Sequence, residues 1–470
     1  MKMVFRNCLL AFVLSAALVS SAPSQTVNTL PDDLRTKVDA AAEQVLKSSG
    51  VPSASIAIVK DGKIAYTHAY GLARLEPPLP ATTAMRYSIG SISKQFTAAA
   101  ILLLQQDGKL SLNDPVSKYL PDLTRGDEVT LRMLLAHTSG YQDYWPQDYV
   151  MPPMLNAVTA NEILNLWARK PLDFDPGTKW QYSNTNYVIA GLIIEKVSGM
   201  PLMRFLQLRI FTPLDMKSVY NSDEARLTTA DATGYYRHAL GPLRPAPKEG
   251  KGWMFAAGEL AMTPYDLAQW DISLINRSLL RPSSYEQMFD EVKLKDGAPT
   301  HYALGLDVSD HDGKLELEHS GEVSGFVSEN IVYADDKAAV AVLTNQDAVS
   351  AASSIGHQIG NLILNRAGSD TSESEAKAAA IFAGLQDGKI DRALFTPNCN
   401  AYFSEEALQD FSQSLKPLGK PISFRQFRTS LRGGMTFRGY HVSFPTQQLT
   451  VTVYEMPDGK IEQYLVMPTP

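Results

Sequence analysis

The stretch Tyr87-Ser88-Ile89-Gly90-Ser91-Ile92-Ser93-Lys94-Gln95-Phe96-Thr97 is where the chain turns from an extended pattern to a helical one. Ile92, Phe96, Ala99 and Leu103 recur at spacings of four, three and four before Gly108, which predicts a helix that starts at Ser91 and stops at that glycine. Positions i and i+3 share a helix face, so Ser91 Oγ and Lys94 Nζ can meet. The helix start adds free N–H groups and the positive end of a dipole, both suited to a developing oxyanion. For Lys94 to take the serine proton it must be neutral part of the time, a condition that burial and a second cation can create. Alone, Ser-x-x-Lys is a common spacing and an N-terminal serine is usually a cap.

Outward from this stretch the pattern is mixed. Ala54 to Lys60 and Lys63 to Tyr70 are β-rich runs flanking Asp61-Gly62, a dipeptide that supplies the positive φ values of a two-residue hairpin turn. Before them, Asp33 to Ser49 reads as an amphipathic helix stopped by Gly50. Residues 110 to 290 are rich in short helices and Pro/Gly turns. Strands return at Tyr302 to Val308, Lys314 to His319, Phe326 to Tyr333 and Ala338 to Thr344, with Ser350 to Asn365 a closing helix. A terminal helix and strands around a helical middle predict an α+β fold, an antiparallel sheet covered by helices with a mainly helical insert, over residues 30–368. Residues 367–375 (AGSDTSESE) are small, polar and acidic, the composition of a linker. Beyond it, helices at Ala376 to Gln386 and Glu405 to Leu415 and strands at Ser423 to Leu431, Gly439 to Phe444 and Leu449 to Met456 predict a small α+β domain over 376–470.

Composition fits a globular protein: 470 residues, 44% apolar and 20% charged, with Gly 30 and Pro 28, exclude collagen, coiled coil and wholesale disorder. Residues 1–24 place Lys2 and Arg6 before the apolar run Cys8 to Val19 and then small residues, the layout of a signal peptide cut after Ser24. Without that segment Lys plus Arg falls from 43 to 41 against 50 Asp plus Glu, a net charge of −9 that argues against nucleic acid as a partner. The expected location is secreted or periplasmic, with no membrane anchor after processing. Only Cys399 survives cleavage, so no internal disulfide forms, and no Cys/His spacing suggests a metal; neither metal nor cofactor is expected.

Two further motifs follow the first in order. Tyr182-Ser183-Asn184 comes after Pro176-Gly177-Thr178 and Trp180. A phenol beside a lysine ammonium can be depressed towards neutrality and serve as a base, and the Asn184 amide can hold both a substrate amide and Lys94. His319-Ser320-Gly321 ends a strand on which Leu315, Leu317 and His319 share a face. A hydroxyl and a glycine on an open strand edge let a substrate add as an extra strand, with a backbone N–H completing an oxyanion hole.

Taken together, the three motifs resemble the serine β-lactamase and penicillin-recognising family, in its branch of class C β-lactamases, D-Ala-D-Ala carboxypeptidases and related esterases. Leu134-Leu135-Ala136-His137-Thr138-Ser139-Gly140, Pro176-Gly177-Thr178, Ala256-Ala257-Gly258 and Asp266-Leu267 with Trp270 extend the likeness. The resemblance implies an acyl-enzyme hydrolase acting on an amide or ester of a small-molecule or peptide substrate, peptidoglycan fragments among them. Ser91 would attack, Lys94 and Tyr182 would move protons, Asn184, His319, Ser320 and Gly321 would bind substrate, and the N–H groups of Ser91 and Glu322 would hold the oxyanion. The rival class is a penicillin-binding or peptidoglycan-sensing protein on the same fold that acylates without turnover. Its broken constellation is not seen here, since all three motifs are intact.

Two departures stand out. Tyr-Ser-Asn replaces Ser-Asp-Asn, and His319 stands where the usual pattern has lysine, which weighs against efficient β-lactamase activity and leaves peptidase or esterase activity open. His319 is expected to change charge around its reference pKa of about 6.5. His137 is read as a core or turn residue. In the C-terminal domain, the alternation of Phe424, Arg425, Phe427 and Arg428 reads as a strand with one buried and one solvated side.

Overall fold

The computed structural model describes residues 26–146, 150–238, 241–311, 313–364, 369–432, 435–445, 447–456 and 458–468. The signal-peptide reading of residues 1–24 lies outside these residues. Helix α1 (Asp32–Ser49) precedes a hairpin of β1 (Ser53–Lys60) and β2 (Lys63–Arg74). Its turn is built by Asp61 at φ 54° and Gly62 at φ 72°, as the dipeptide predicts. Strand β3 (Leu79–Pro80) caps one edge, and β4 (Asp307–His311), β5 (Lys314–Val323), β6 (Phe326–Tyr333) and β7 (Ala338–Thr344) complete a seven-stranded sheet of order β3-β2-β1-β7-β6-β5-β4. The first and last strands of this sheet in chain order meet in its centre, with Ile56 opposite Val342 in the antiparallel β1–β7 ladder. Residues nearly 300 apart in sequence pair there, so the sheet forms only when the two ends of this part of the chain come together.

One face of the sheet packs under α1 and α5 (Ala351–Ile363) through Val38, Val45, Ile56, Val340, Ile355 and Ile359. The other face meets α2 (Ser93–Gln106) and α4 (Pro264–Asn276) and the insert, which holds α3 (Asn184–Ser198). Every residue of α2 from Ser93 to Leu104 is buried. A helix enclosed on all sides is a core element, which is why its first turn can hold a lysine away from water.

Three expectations are corrected. Tyr302 to Leu306 is not strand: strand geometry begins at Asp307, and Gly305 at φ +77° folds the segment against Lys94 O. The helix expected from Ser91 opens instead as a 3-10 turn, Gly90–Ile92, with α2 following from Ser93. The linker read at 367–375 is in part helical, because α6 spans Ser369–Gln386, while residues 365–368 lie outside the described residues. Serine, aspartate and glutamate in a first turn suit a helix start as well as they suit a linker, so composition alone does not separate the two.

Beyond α6, α7 (Pro397–Tyr402) and α8 (Glu405–Leu415) accompany a four-stranded antiparallel sheet, β8 (Ser423–Arg432), β9 (Met435–Ser443), β10 (Gln448–Glu455) and β11 (Ile461–Pro468), in sequential order. Its core, including Phe382, Leu385, Phe403, Tyr440, Val451 and Tyr464, shares no residue with the other two cores. Phe424 packs on this core, but a bulge between Gln426 and Arg428 turns Phe427 out to cover Gly439 and stack on His441 at 4.2 Å between ring centroids.

Candidate active site

Ser91 sits in the 3-10 turn that leads into α2. Lys94, one turn on, is fully buried, and its Nζ meets three groups: Ser91 Oγ at 2.9 Å, Asn184 Oδ1 at 2.8 Å and the Ala257 carbonyl at 2.8 Å. Two of these partners can only accept. A neutral amine has two N–H donors and one lone pair, so donation to Asn184 and Ala257 leaves the lone pair for the Ser91 hydroxyl proton. Burial pulls Lys94 down to about 7, against the opposing charge of Asp143. No second cation is involved; enclosure of α2 does it.

Tyr182 lies just before α3, and its phenol is close enough to Ser91 to feel that side chain. Burial pushes this phenol up, with Asp143 and Asp307 adding to the rise, so the expected depression beside Lys94 is not found. The desolvation of a deeply buried phenolate outweighs one neighbouring amine that is itself close to neutral. The Tyr182 phenol therefore keeps its proton at neutral pH, whereas the Lys94 amine can be neutral there.

Asn184 opens α3, and its amide is held from both ends. Oδ1 accepts from Lys94, while Nδ2 donates to Asp143 Oδ1 at 3.2 Å and the Asn184 backbone N–H reaches the same oxygen at 2.9 Å. Asp143 in turn accepts from the Trp145 N–H at 3.2 Å. This fixes which way the amide points, and with it the acceptor facing Lys94. The sequence reading did not single out Asp143 or the Ala257 carbonyl. An Asx turn three residues after Gly140 was the available sign of the first; the second showed only as part of the family likeness.

The loop Leu134–Gly140 latches the tyrosine segment. His137 O accepts from Gln181 N at 3.0 Å and His137 Nδ1 accepts from Ser183 N at 3.1 Å, with the His137 ring 4.3 Å from that of Tyr182. Burial holds His137 well below the usual histidine range. It is a neutral turn residue, as read from the sequence.

Strand β5 passes the nucleophile at its Gly321 end. A Cβ on Gly321 would lie 1.9 Å from Ile89 O, and one on Gly90 would lie 2.6 Å from Glu322 N. Only glycine permits this approach, and it brings the Glu322 N–H beside Ser91, where the two backbone N–H groups can share an oxyanion. Strand β4 pairs with β5 only as far as Asp307 opposite Glu318. Ladder pairing with β4 therefore stops short of residues 319–323, and Ser320 is exposed there.

His319 is buried at 3% exposure and both its ring nitrogens are engaged. Nδ1 is 2.5 Å from Ser320 O, which can only accept, so Nδ1 bears the proton and Nε2 accepts from the Tyr302 hydroxyl at 2.8 Å. Burial, then the nearby Lys94, lowers His319 to about 4. Its charge does not change near 6.5 as expected, and at neutral pH it offers a substrate carboxylate no cation.

These residues line a cavity of about 610 Å³ with an apolar wall that includes Trp145, Val150, Trp180 and Met254. The acidic side chains on it are Asp143, Asp307, Glu322 and Asp347, and among the described residues its wall carries no arginine or lysine. The Lys94 amine is held behind Ser91 by its three partners. Ser93 does not compete with Ser91, because its Oγ is buried and accepts from Leu260 N at 3.1 Å.

A serine activated by a buried lysine, beside a tyrosine and an open strand edge, defines the serine β-lactamase, penicillin-binding protein and amidase class. The chain belongs to the Beta-lactamase family, whose profile matches residues 38–358. It is 30% identical over 308 residues to penicillin-binding protein 4* of Bacillus subtilis (strain 168), covering 62% of this chain and 68% of that one. Protein flp of Staphylococcus aureus (strain MW2) is 29% identical, and the match spans 64% of its length and 67% of this chain. Among solved structures, D-amino acid amidase from Ochrobactrum anthropi SV3, complexed with D-phenylalanine, aligns at TM-score 0.62 and 26% identity over 71% of this chain and 99% of its own. The octameric penicillin-binding protein homologue from Pyrococcus abyssi shares the fold along 93% of this chain and 96% of its own, at TM-score 0.62 and 24% identity.

Proposed function

We propose that the protein is a serine hydrolase that cleaves amides or esters through a Ser91 acyl-enzyme and works best on substrates without a carboxylate on the leaving group. Neutral Lys94 takes the proton of Ser91 as Oγ bonds to the substrate carbonyl carbon, and the N–H groups of Ser91 and Glu322 hold the oxyanion. Collapse breaks the bond to the leaving group, which takes a proton from Tyr182; Tyr182 is reprotonated from the Lys94 ammonium. Water then hydrolyses the ester, and Ser91 regains its proton. The observation that carries this reading is the set of partners at Lys94 Nζ, two acceptors and the Ser91 hydroxyl.

The likeness to a D-amino acid amidase and a D-stereospecific amidohydrolase supports D-aminoacyl amides and esters as the substrate class. That no arginine or lysine lines the cavity among the described residues argues against D-Ala-D-Ala carboxypeptidase or β-lactamase as the main activity. The leader-like residues 1–24 support action outside the cytoplasm. A parallel assay of a neutral p-nitrophenyl ester, D-phenylalaninamide, a D-Ala-D-Ala peptide and a penicillin tests the reading. Steady turnover of the first two, slow turnover of the last two and loss of all activity and of fluorophosphonate labelling in Ser91→Ala are expected. A burst of acylation with no steady state on any substrate would identify the non-turnover binding protein instead.

A further inference from the structure

Asp143 stands behind the amide to which Lys94 donates, and every hydrogen bond described for its carboxylate comes from an N–H. Oδ1 accepts from the Asn184 backbone at 2.9 Å, from Asn184 Nδ2 at 3.2 Å and from the Trp145 backbone at 3.2 Å, and Oδ2 lies 3.4 Å from the same Nδ2. Donors of this kind favour the ionised form. Burial raises Asp143, while these N–H groups and Lys94 pull it down. The chain Ser91–Lys94–Asn184–Asp143 therefore runs from a nucleophile, through an amine and an amide, to a half-buried negative charge.

Acylation creates the charge that this one complements. As Ser91 Oγ bonds to the substrate carbonyl carbon, the hydroxyl proton moves to Lys94 Nζ, and a neutral amine becomes a fully enclosed ammonium. Two of its direct partners, Asn184 Oδ1 and Ala257 O, are neutral acceptors, and the third is the reacting Ser91 Oγ. The other groups that face it are neutral as well. Tyr182 and Tyr187 have ring centroids 5.0 Å and 5.5 Å from Nζ and keep their protons, and burial lowers His137 and His319. Tyr302, hydrogen-bonded to His319, keeps its proton too, and burial with Glu318 nearby holds Asp307 well above the usual carboxylate range. A buried charge without a counter-charge is costly, and Asp143 is the acid whose charge Lys94 feels.

We infer that Asp143 is a positioning residue of the acylation step: acting through the Asn184 amide, it supplies the counter-charge for the ammonium that forms on Lys94. This rests on the acyl-enzyme reading above. It gives the site the logic of a triad, in which a carboxylate that never takes the proton steadies the base that does. Asn184 then has a task beside any contact with substrate, since its Nδ2 is turned to Asp143 and its Oδ1 to Lys94.

The test is the pH profile of Ser91 acylation, read as the rate of fluorophosphonate labelling and as kcat/KM for a neutral p-nitrophenyl ester. Asp143→Asn keeps an oxygen for the Asn184 N–H groups and removes the charge. It should lower the high-pH plateau by about ten-fold and move the acid limb about one unit towards lower pH, because an ammonium without its counter-charge gives up its proton more readily. The two changes offset one another below the native midpoint, so native and variant rates should converge below about pH 6. Asp143→Ala, which also releases the Asn184 amide, should lose more than the asparagine variant. Asp143→Ser, with circular dichroism as a fold check, serves if the asparagine variant fails to fold. A plateau loss with an unmoved limb would mean that Asp143 only holds its loop, and an unchanged profile that it does neither; either result overturns the inference. If Ser91 is not labelled at all, the acyl-enzyme reading fails, and ¹³C NMR titration of the Lys94 ε-methylene in the native and Asp143→Asn chains still decides whether the carboxylate steadies the ammonium.

Discussion

Lys94 is the residue on which the chemistry turns, and its protonation has a definite sign. With Lys94 lowered to about 7, the active form is the deprotonated one, so kcat/KM for a neutral ester should fall about ten-fold per pH unit below 7 and level off above it. Tyr182 stays protonated throughout because burial pushes it up, and His319, at about 4, adds no second limb near neutrality. Lys94→Arg keeps a cation but cannot give it up, and should lose about 10²- to 10⁴-fold in kcat. A pH–rate profile that stays flat between 5 and 9, or an active arginine variant, would remove Lys94 as the base.

At the scale of elements, the site exists because a strand and a turn touch. Gly321 on β5 and Gly90 before Ser91 have no room for a side chain, and Ser328 on β6 ties its Oγ to Ile89 O at 2.8 Å. Gly321→Ala must push β5 away from Ile89, which should cost about 1–3 kcal/mol of stability by overpacking. The same displacement moves the Glu322 N–H, and loss of one oxyanion donor lowers kcat by about 10²- to 10³-fold. Gly313→Ala, at φ +77° with open space around it, should strain the β4–β5 turn and lower the melting temperature with kcat intact. Thermal unfolding and kcat measured on both variants separate the two effects; equal kcat losses would mean that the β5–Ile89 contact does not set the oxyanion site.

For the molecule as a whole, the site is assembled by residues 91 to 347, and the C-terminal unit has a core of its own. A chain ending at Gly368 should therefore fold and keep its acyl-enzyme chemistry. Ester turnover and fluorophosphonate labelling of the shortened chain check this; a soluble but inactive product would mean that the C-terminal unit contributes to the site.

The sequence by itself determined what is local. The Asp61-Gly62 turn, the stop at Gly50 and the strands Phe326–Tyr333 and Ala338–Thr344 are set by short-range sterics and by runs of β-prone residues, and all are found where the pattern puts them. Ser91, Lys94, Tyr182 and Asn184 were legible as types in an order, and they converge. Tertiary structure decided their states. Whether Lys94 or Tyr182 is the base, and whether His319 carries charge, depends on burial summed over elements hundreds of residues apart, which no spacing records. Asp143, the Ala257 carbonyl and Asp307 entered the site for the same reason, since β1 pairing with β7 and α2 sinking into the core bring distant segments around one serine.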